Sequence, residues 1–235
     1  MTFYLTVEDD CAYLEGQTER KIFTKLGGED AAEYFDELSQ RGFRRSQNIA
    51  YIPACIACNA CKSARLLVAE FKLSKSQKRV MNKNAFISRE IKPAHPTSEQ
   101  YRLFKRYITN RHSGGDMSEM GVMDYAKMIA ESSVNTKIFE YYLQPQDGQE
   151  PQLVAVALTD IMSDGLSMVY SFFEPSMAKL SLGTYIILDH IQKAQQENIP
   201  HIYLGYYIDG CQNMEYKAKF TPQELFDGLK WRPAD

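Results

Sequence analysis

The sequence predicts an α+β fold built on a mixed sheet, and three observations carry that prediction. Apolar residues recur at helical spacing in three stretches, Glu99 to His112, Val122 to Ser132 and Tyr185 to Asn198. Between the second and third stand three strand-like runs, Lys137 to Tyr142, Leu153 to Asp160 and Leu166 to Phe173, separated by Pro, Gly and Asp turns in the manner of an antiparallel meander. A buried-strand pattern then follows, Ile202 to Ile208, bounded by Pro200 and Gly210. Helices, meander, helix and strand in that order describe one sheet with helices packed on it.

The elements follow in chain order. Phe3 to Val7 is a short strand ending in the acidic turn Glu8-Asp9-Asp10 and Cys11, and Ala31 to Gln40 is a second segment. Arg41 to Pro53 turns at Gly42 and then alternates into a strand that stops at a proline, which has no N–H to give a ladder. Ala64 to Phe71 is the next strand. Ser74 is an N-cap with Gln77 as its capping-box partner, so Lys75 to Asn84 is a helix with Lys75, Lys78, Arg79 and Lys83 on neighbouring turns. Pro93-Ala-His-Pro96 marks a boundary between an N-terminal, cysteine-containing α/β module, 1–95, and a core, 96–235. Thr97 or Ser98 caps the helix from Glu99, whose Tyr101, Phe104 and Ile108 face a core while Arg102, Lys105, Arg106 and Arg111 look outward. Gly183-Thr184 opens the last long helix, and the tail from Tyr216 to Trp231 is short elements and turns.

No apolar run approaches the roughly 20 residues that span a bilayer, and the N-terminus lacks the basic and apolar regions of an export signal. A cytosolic protein with no membrane contact is expected, so its five cysteines read as thiols or metal ligands. Net charge is only −3, yet between Arg41 and Arg111 there are 16 Lys or Arg against three acidic residues, Glu70, Glu90 and Glu99. Such segregation is the electrostatic footprint of a phosphate-bearing partner, or else a solvated basic face.

Three clusters could carry chemistry. Cys55, Cys58 and Cys61 crowd three sulfurs into one loop, with Cys11 as a fourth candidate, a set suited to a soft metal or an iron–sulfur cluster; position 65, where a ferredoxin-type run has cysteine, is Arg65. The alternative is small cysteines packed behind a loop. Tyr206, Tyr207, Asp209 and Lys217 gather tyrosines, a carboxylate and a lysine at a strand end, where α/β enzymes keep reactive groups. Leu182-Gly183-Thr184, just before a helix, resembles the phosphate-binding turn of acetyltransferases, where N–H groups meet a pyrophosphate. There is no G-x-S-x-G elbow, H-E-x-x-H or Walker loop.

Taken together, several blocks resemble the aminoacyl-tRNA:protein transferase family in its short bacterial, leucyl-transferring form, related to eukaryotic arginyl-transferases. They are Cys11-Ala-Tyr-Leu14, Arg41-Gly-Phe-Arg-Arg-Ser46, Tyr51 to Arg65 with the three cysteines, Ser76-Gln-Lys-Arg79 with Asn84, and Arg111-His-Ser-Gly-Gly-Asp-Met117. Tyr170-Ser-Phe-Phe-Glu-Pro175, Ser181-Leu-Gly183 and Leu204-Gly-Tyr-Tyr-Ile208 with Cys211, Met214, Tyr216 and Lys217 complete them. The resemblance implies an acetyltransferase-like core with an added N-terminal module. It also implies transfer of an amino acid, leucine in the bacterial form and arginine as the alternative, from its tRNA to a protein beginning with Asp or Glu, which creates an N-degron. No cofactor is required for that reaction. Leu14 stands where larger relatives have a second N-terminal cysteine.

On this reading Tyr206, Tyr207 and Lys217 are the catalytic candidates. Arg79, Lys83, Asn84, Arg106 and His112 would bind the acidic N-terminus, and Arg44, Arg45, Lys75, Lys78, Ser181 and Gly183 the tRNA. Cys11, Cys55, Cys58 and Cys61 are the metal candidates, and Phe172 and Tyr206 would border a leucine slot. A CoA-dependent N-acetyltransferase and a metal-dependent RNA-binding module are the rival readings from other classes.

Overall fold

The computed structural model describes residues 1–111, 119–144 and 150–234. Three sheets order them. A small antiparallel sheet runs β1 (Phe3–Leu5), β4 (Lys21–Lys25), β6 (Ile49–Pro53), β5 (Arg44–Ser46), and a ribbon pairs β2 (Asp9–Asp10) with β3 (Thr18–Glu19). The large sheet has eight strands: β14 (Trp231–Pro233), β13 (Gln223–Phe226), β7 (Lys62–Leu67), β12 (His201–Tyr207), β11 (Gly165–Phe173), β10 (Gln152–Ile161), β9 (Thr136–Leu143), β8 (Ile87–Pro93). The helices are α1 (Ala31–Gln40), α2 (Lys75–Lys83), α3 (Ser98–Arg111), α4 (Val122–Ala130) and α5 (Leu182–Gln196).

The meander expected from sequence is β9, β10 and β11, each antiparallel to the next. Both faces of β10 are buried. Val156 and Leu158 pack toward α3 and α4, and Val154 and Ala157 toward α5, so the central strand reads as a continuous apolar run. α2 forms as its capping box requires: Ser74 Oγ accepts from Gln77 N–H, and Gln77 Oε1 accepts from Ser74 N–H. Its Val80 and Met81 pack on the α5 side, which turns Lys75, Lys78, Arg79 and Lys83 to solvent. No helix among the described residues is long and apolar enough to cross a membrane.

Residues 1–95 and 96–235 share one sheet. β7 lies between β13 and β12, and β8 pairs with β9, so two strands from before the Pro93 to Pro96 stretch belong to the large sheet. The prolines close β8 and precede α3. Their local effect is to end elements, which is what a missing N–H and a fixed φ do.

Charge segregation has a structural use. Cations of the first half meet carboxylates of the second in Arg45–Asp160, Arg65–Glu224, Arg89–Asp189, Lys92–Glu140 and Arg106–Glu174. Much of the sequence-level excess therefore joins the two halves, and α2 retains a compact group of solvent-facing cations.

One buried histidine shapes acid stability. His190 is enclosed, donates Nδ1–H to Ile186 O at 2.8 Å, takes the Thr159 hydroxyl on Nε2 at 2.9 Å and stacks on Phe139 at 4.3 Å. Burial, against the opposing pull of Asp189, holds its pKa down to about 4. The unfolded chain therefore binds the extra proton between pH 6.5 and 4, so stability present above 6.5 is lost as pH falls through that window. Urea unfolding should show a loss of about 3 kcal/mol from this group. His190→Gln, neutral throughout, should remove that part of the slope; an unchanged slope would refute the assignment.

Candidate active site

The one parallel pairing among the described strands is β11 with β12, and it is short. It covers Gly165 with His201, Leu166 with Ile202 and Ser167 with Tyr203, and then the strands part. Two features part them. The register of β12 on β7 slips between Tyr203 and Gly205, a bulge that bends β12 away. Gly205 takes φ +85°, which only glycine adopts without strain, and a Cβ there would lie 3.4 Å from the Arg44 guanidinium. Arg44, carried by β5, fills the base of the fork: its Nη1 donates to Ser167 Oγ at 3.2 Å and its Nη2 to Met168 O at 2.8 Å. Beyond that plug, the facing edges of β11 and β12 are unpaired with each other and offer main-chain N–H and C=O groups to a bound molecule.

Lys217 approaches from the other side. A single-turn helix, Glu215–Lys219, follows β12 and folds its lysine back so that Nζ donates to Tyr206 O. The ammonium is buried, and burial, assisted by the Arg44 charge and opposed by Cys211, brings its pKa down to about 7. A lysine in that state is half neutral at physiological pH and can accept a proton. Tyr216 beside it is 41% exposed and sits in the fields of Arg111 and Arg44.

The α3 side of the fork is aromatic. Tyr107 and Phe173 rings meet at 5.0 Å, and the Arg111 guanidinium lies 5.9 Å from each ring centroid. Tyr170, on the open arm of β11, is half-buried against Phe104 and Phe172, with its hydroxyl in the field of Tyr107 and Arg111. Sequence reasoning singled out neither Tyr170 nor Arg111. Both fall in quoted blocks, but nothing in their spacing shows that α3 brings Arg111 over β11.

The structure sorts the expected residues. Lys217 is at the fork. Tyr206 is structural, because its hydroxyl donates to Tyr51 O at 3.0 Å and its ring packs against Tyr51 at 6.0 Å. Tyr207, next along the strand and so on the opposite face, donates to Asp209 Oδ1 at 3.3 Å on the surface. Phe172 is core beneath α3, which removes it from a leucine slot. Arg45 cannot grip phosphate: it and Asp160 are each 1% exposed and bonded at 2.6 Å. Arg44 is likewise interior. Lys83 donates to Lys179 O at 2.6 Å, and Asn84 donates to Val80 O and Leu180 O, both at 2.9 Å, which ties α2 to the turn before α5. Arg106 is paired with Glu174 at 2.8 Å. His112 lies outside the described residues.

Ser181 is the N-cap of α5 at φ 53°, and its side chain makes no capping bond. Gly183 lacks a Cβ because one would stand 3.0 Å from the Phe173 ring. Lys75, Lys78 and Arg79 are exposed on α2.

The cysteine loop borders a cleft of about 220 Å³ that Tyr206 and Phe226 also line. Burial, with the nearby sulfurs of Cys11, Cys55 and Cys58, pushes the Cys61 thiol up to about 11. Among the described residues no three or more Cys, His, Asp or Glu are arranged to hold a metal ion.

Comparison with known proteins shows the family. The family model described as Arginine-tRNA-protein transferase, N terminus, matches residues 9–79, and Arginine-tRNA-protein transferase, C terminus, matches residues 99–227. A Brucella ovis protein named Aspartate/glutamate leucyltransferase is 51% identical over 235 residues, covering 98% of this chain and 94% of its own. Its namesake in Brucella anthropi gives the same identity and coverage. Among solved structures, FemX aligns with a TM-score of 0.52 at 8% identity over 87% of this chain and 69% of that one. At such identity the likeness is one of fold, an α+β, acetyltransferase-like mixed sheet.

Proposed function

The chain belongs to the arginine-tRNA-protein transferase family, and from that premise we propose that it moves leucine from leucyl-tRNA to the α-amine of proteins beginning with Asp or Glu. It is an aminoacyltransferase, and the observation that carries the chemistry is Lys217, buried with a pKa of about 7 beside the open fork. The aminoacyl ester is already activated, so no enzyme nucleophile is needed. The acceptor amine attacks the ester carbonyl, the amide forms, and the ribose oxygen leaves with a proton. A free α-amine has a pKa of roughly 8, so a neighbouring base near 7 is matched to taking its proton. Lys217 is that base in this reading, and it can return the proton to the departing oxygen. Holding both reactants in the fork supplies several kcal/mol more, on the order of 7 in favourable cases. The product carries an N-terminal leucine, an N-degron. Both substrates place the enzyme in the cytosol.

Donor identity rests on the relatives' name, since the family also includes arginyl transfer. The test is competition: with leucyl- and arginyl-tRNA at equal concentration, a peptide beginning with Asp should gain the mass of leucine. Gain of arginine would reverse the donor assignment.

The exposed face of α2 suits the tRNA backbone. Lys75, Lys78 and Arg79 present charges on adjacent turns, and Arg79 shares their solvent face, so we assign it to phosphate together with them. Lys75→Ala/Lys78→Ala/Arg79→Ala should reduce the magnitude of the slope of log Kd for tRNA against log salt by about 2–3. The Michaelis constant for the acceptor peptide should not move. An unchanged slope would exclude α2 from the tRNA interface.

A further inference from the structure

We propose that Arg111 and Tyr170 form the pocket that reads the acceptor's first side chain, Arg111 pairing with its carboxylate and Tyr170 donating a hydrogen bond to it. The proposal rests on the reading of the acceptor as a protein beginning with Asp or Glu, and adds to it the residues that discriminate.

The first observation is a hydroxyl without a partner. Tyr170 Oη is buried and makes no hydrogen bond among the described residues. Four interior tyrosines are satisfied: Tyr141 on Asp189 at 2.9 Å, Tyr203 on Asp164 at 2.8 Å, Tyr206 on Tyr51 O and Tyr125 on Gln100 at 3.2 Å. An unpaired buried hydroxyl is costly, and its retention is explained when a ligand supplies the missing partner. Burial keeps this phenol protonated despite the Arg111 charge, so it approaches a carboxylate as a donor.

The second observation is a cation without a counter-ion. Arg45, Arg65, Arg89, Arg106 and Arg232 each hold a carboxylate. Arg111 holds none among the described residues. Its guanidinium, on the exposed end of α3, instead lies 5.9 Å from the ring centroids of Tyr107 and Phe173. An arginine seated on aromatic rings keeps its forked donors free for a planar anion.

The third is position. Tyr170 lies on β11 three residues past Ser167, the last residue paired with β12, so it belongs to the open arm of the fork. Tyr216, adjacent to Lys217, lies in the field of Arg111. Of the other cations considered for this role, Lys83 and Arg106 are committed to Lys179 O and Glu174, and Arg79 faces solvent on α2 with the phosphate-gripping lysines.

The experiment uses two peptides identical but for Asp or Asn at the first position, with saturating leucyl-tRNA. Wild type should favour Asp. Arg111→Met should raise the acceptor KM for the Asp peptide at least 50-fold, on the order expected for loss of a charge-assisted pair, and bring the Asp-to-Asn ratio of kcat/KM close to one. Tyr170→Phe should reduce that ratio about 5- to 10-fold, with the melting temperature unchanged or raised, because the deleted hydroxyl has no partner to lose. Neither change should move the KM for leucyl-tRNA. A structural role alone would lower the melting temperature and affect both peptides equally, and that outcome overturns the proposal. So does an Asp preference that survives Arg111→Met in an enzyme that still transfers leucine, and there the reaction itself stands. If wild type adds leucine to no acidic peptide, the acceptor reading falls and the pocket falls with it.

Discussion

Lys217→Met should slow turnover by about 10²- to 10⁴-fold, the range associated with loss of a positioned general base. For the wild type, kcat at saturating acceptor should rise with pH through about 7, as Lys217 loses its proton, and then level off. The variant should lack that limb and keep only the dependence that belongs to the substrate amine. The same substitution should stabilise the fold. The folded pKa lies below that of a free lysine, so between pH 7 and 10.5 the unfolded chain binds the extra proton and stability rises with pH. Below 7 the penalty for burying the charge is complete, about 3–5 kcal/mol, and methionine relieves it. Slower chemistry with greater stability is a signature that a structural lysine would not give. A variant with wild-type kcat and an intact acid limb would remove Lys217 from the mechanism.

Arg45→Met should destabilise the protein by about 3–5 kcal/mol, the cost of stranding one member of a buried ion pair. The guanidinium grips Asp160 twice, Nε to Oδ2 at 2.6 Å and Nη2 to Oδ1 at 2.7 Å, and also donates to Gln47 O at 2.6 Å. Thr136 Oγ1 completes the network by donating to Asp160 Oδ1 at 2.7 Å. The bond joins β5 to β10, and β5 is also the strand that inserts Arg44 into the fork. Arg45→Met/Asp160→Leu should recover most of the loss, since neither charge is then left unpaired. Urea unfolding of the three variants checks this. A single variant within 1 kcal/mol of wild type would show that the two sheets are held by other contacts.

Much of this architecture was legible in the sequence, and the parts that were not share a cause. α2 and its capping box, the β9 to β11 meander and the strand at Ile202 follow from local signals that depend on a few neighbouring residues. β8 was missed because its closing Pro93 looks like the start of a linker and its paired residues on β9 lie 44 to 56 positions further along the chain. The charge segregation is plain in the sequence, but the interior places of Arg44 and Arg45, expected on tRNA, are not. Whether a cation meets water or a carboxylate 115 residues away, as Arg45 meets Asp160, is decided by tertiary packing. Lys217 was visible as a lysine past a tyrosine-rich strand end, but its acidity comes from burial and from Arg44, which the fold delivers. Arg111 and Tyr170 were invisible for the same reason, because α3 brings one above the strand that carries the other.

The most direct test of the account is a transfer assay with purified protein, leucyl-tRNA and peptides beginning with Asp, Glu or Lys, read by mass spectrometry. The account predicts addition of one leucine to the α-amine of the Asp and Glu peptides, none to the Lys peptide, and none when the α-amine is acetylated. No leucine on either acidic peptide, or equal modification of all three, would contradict it.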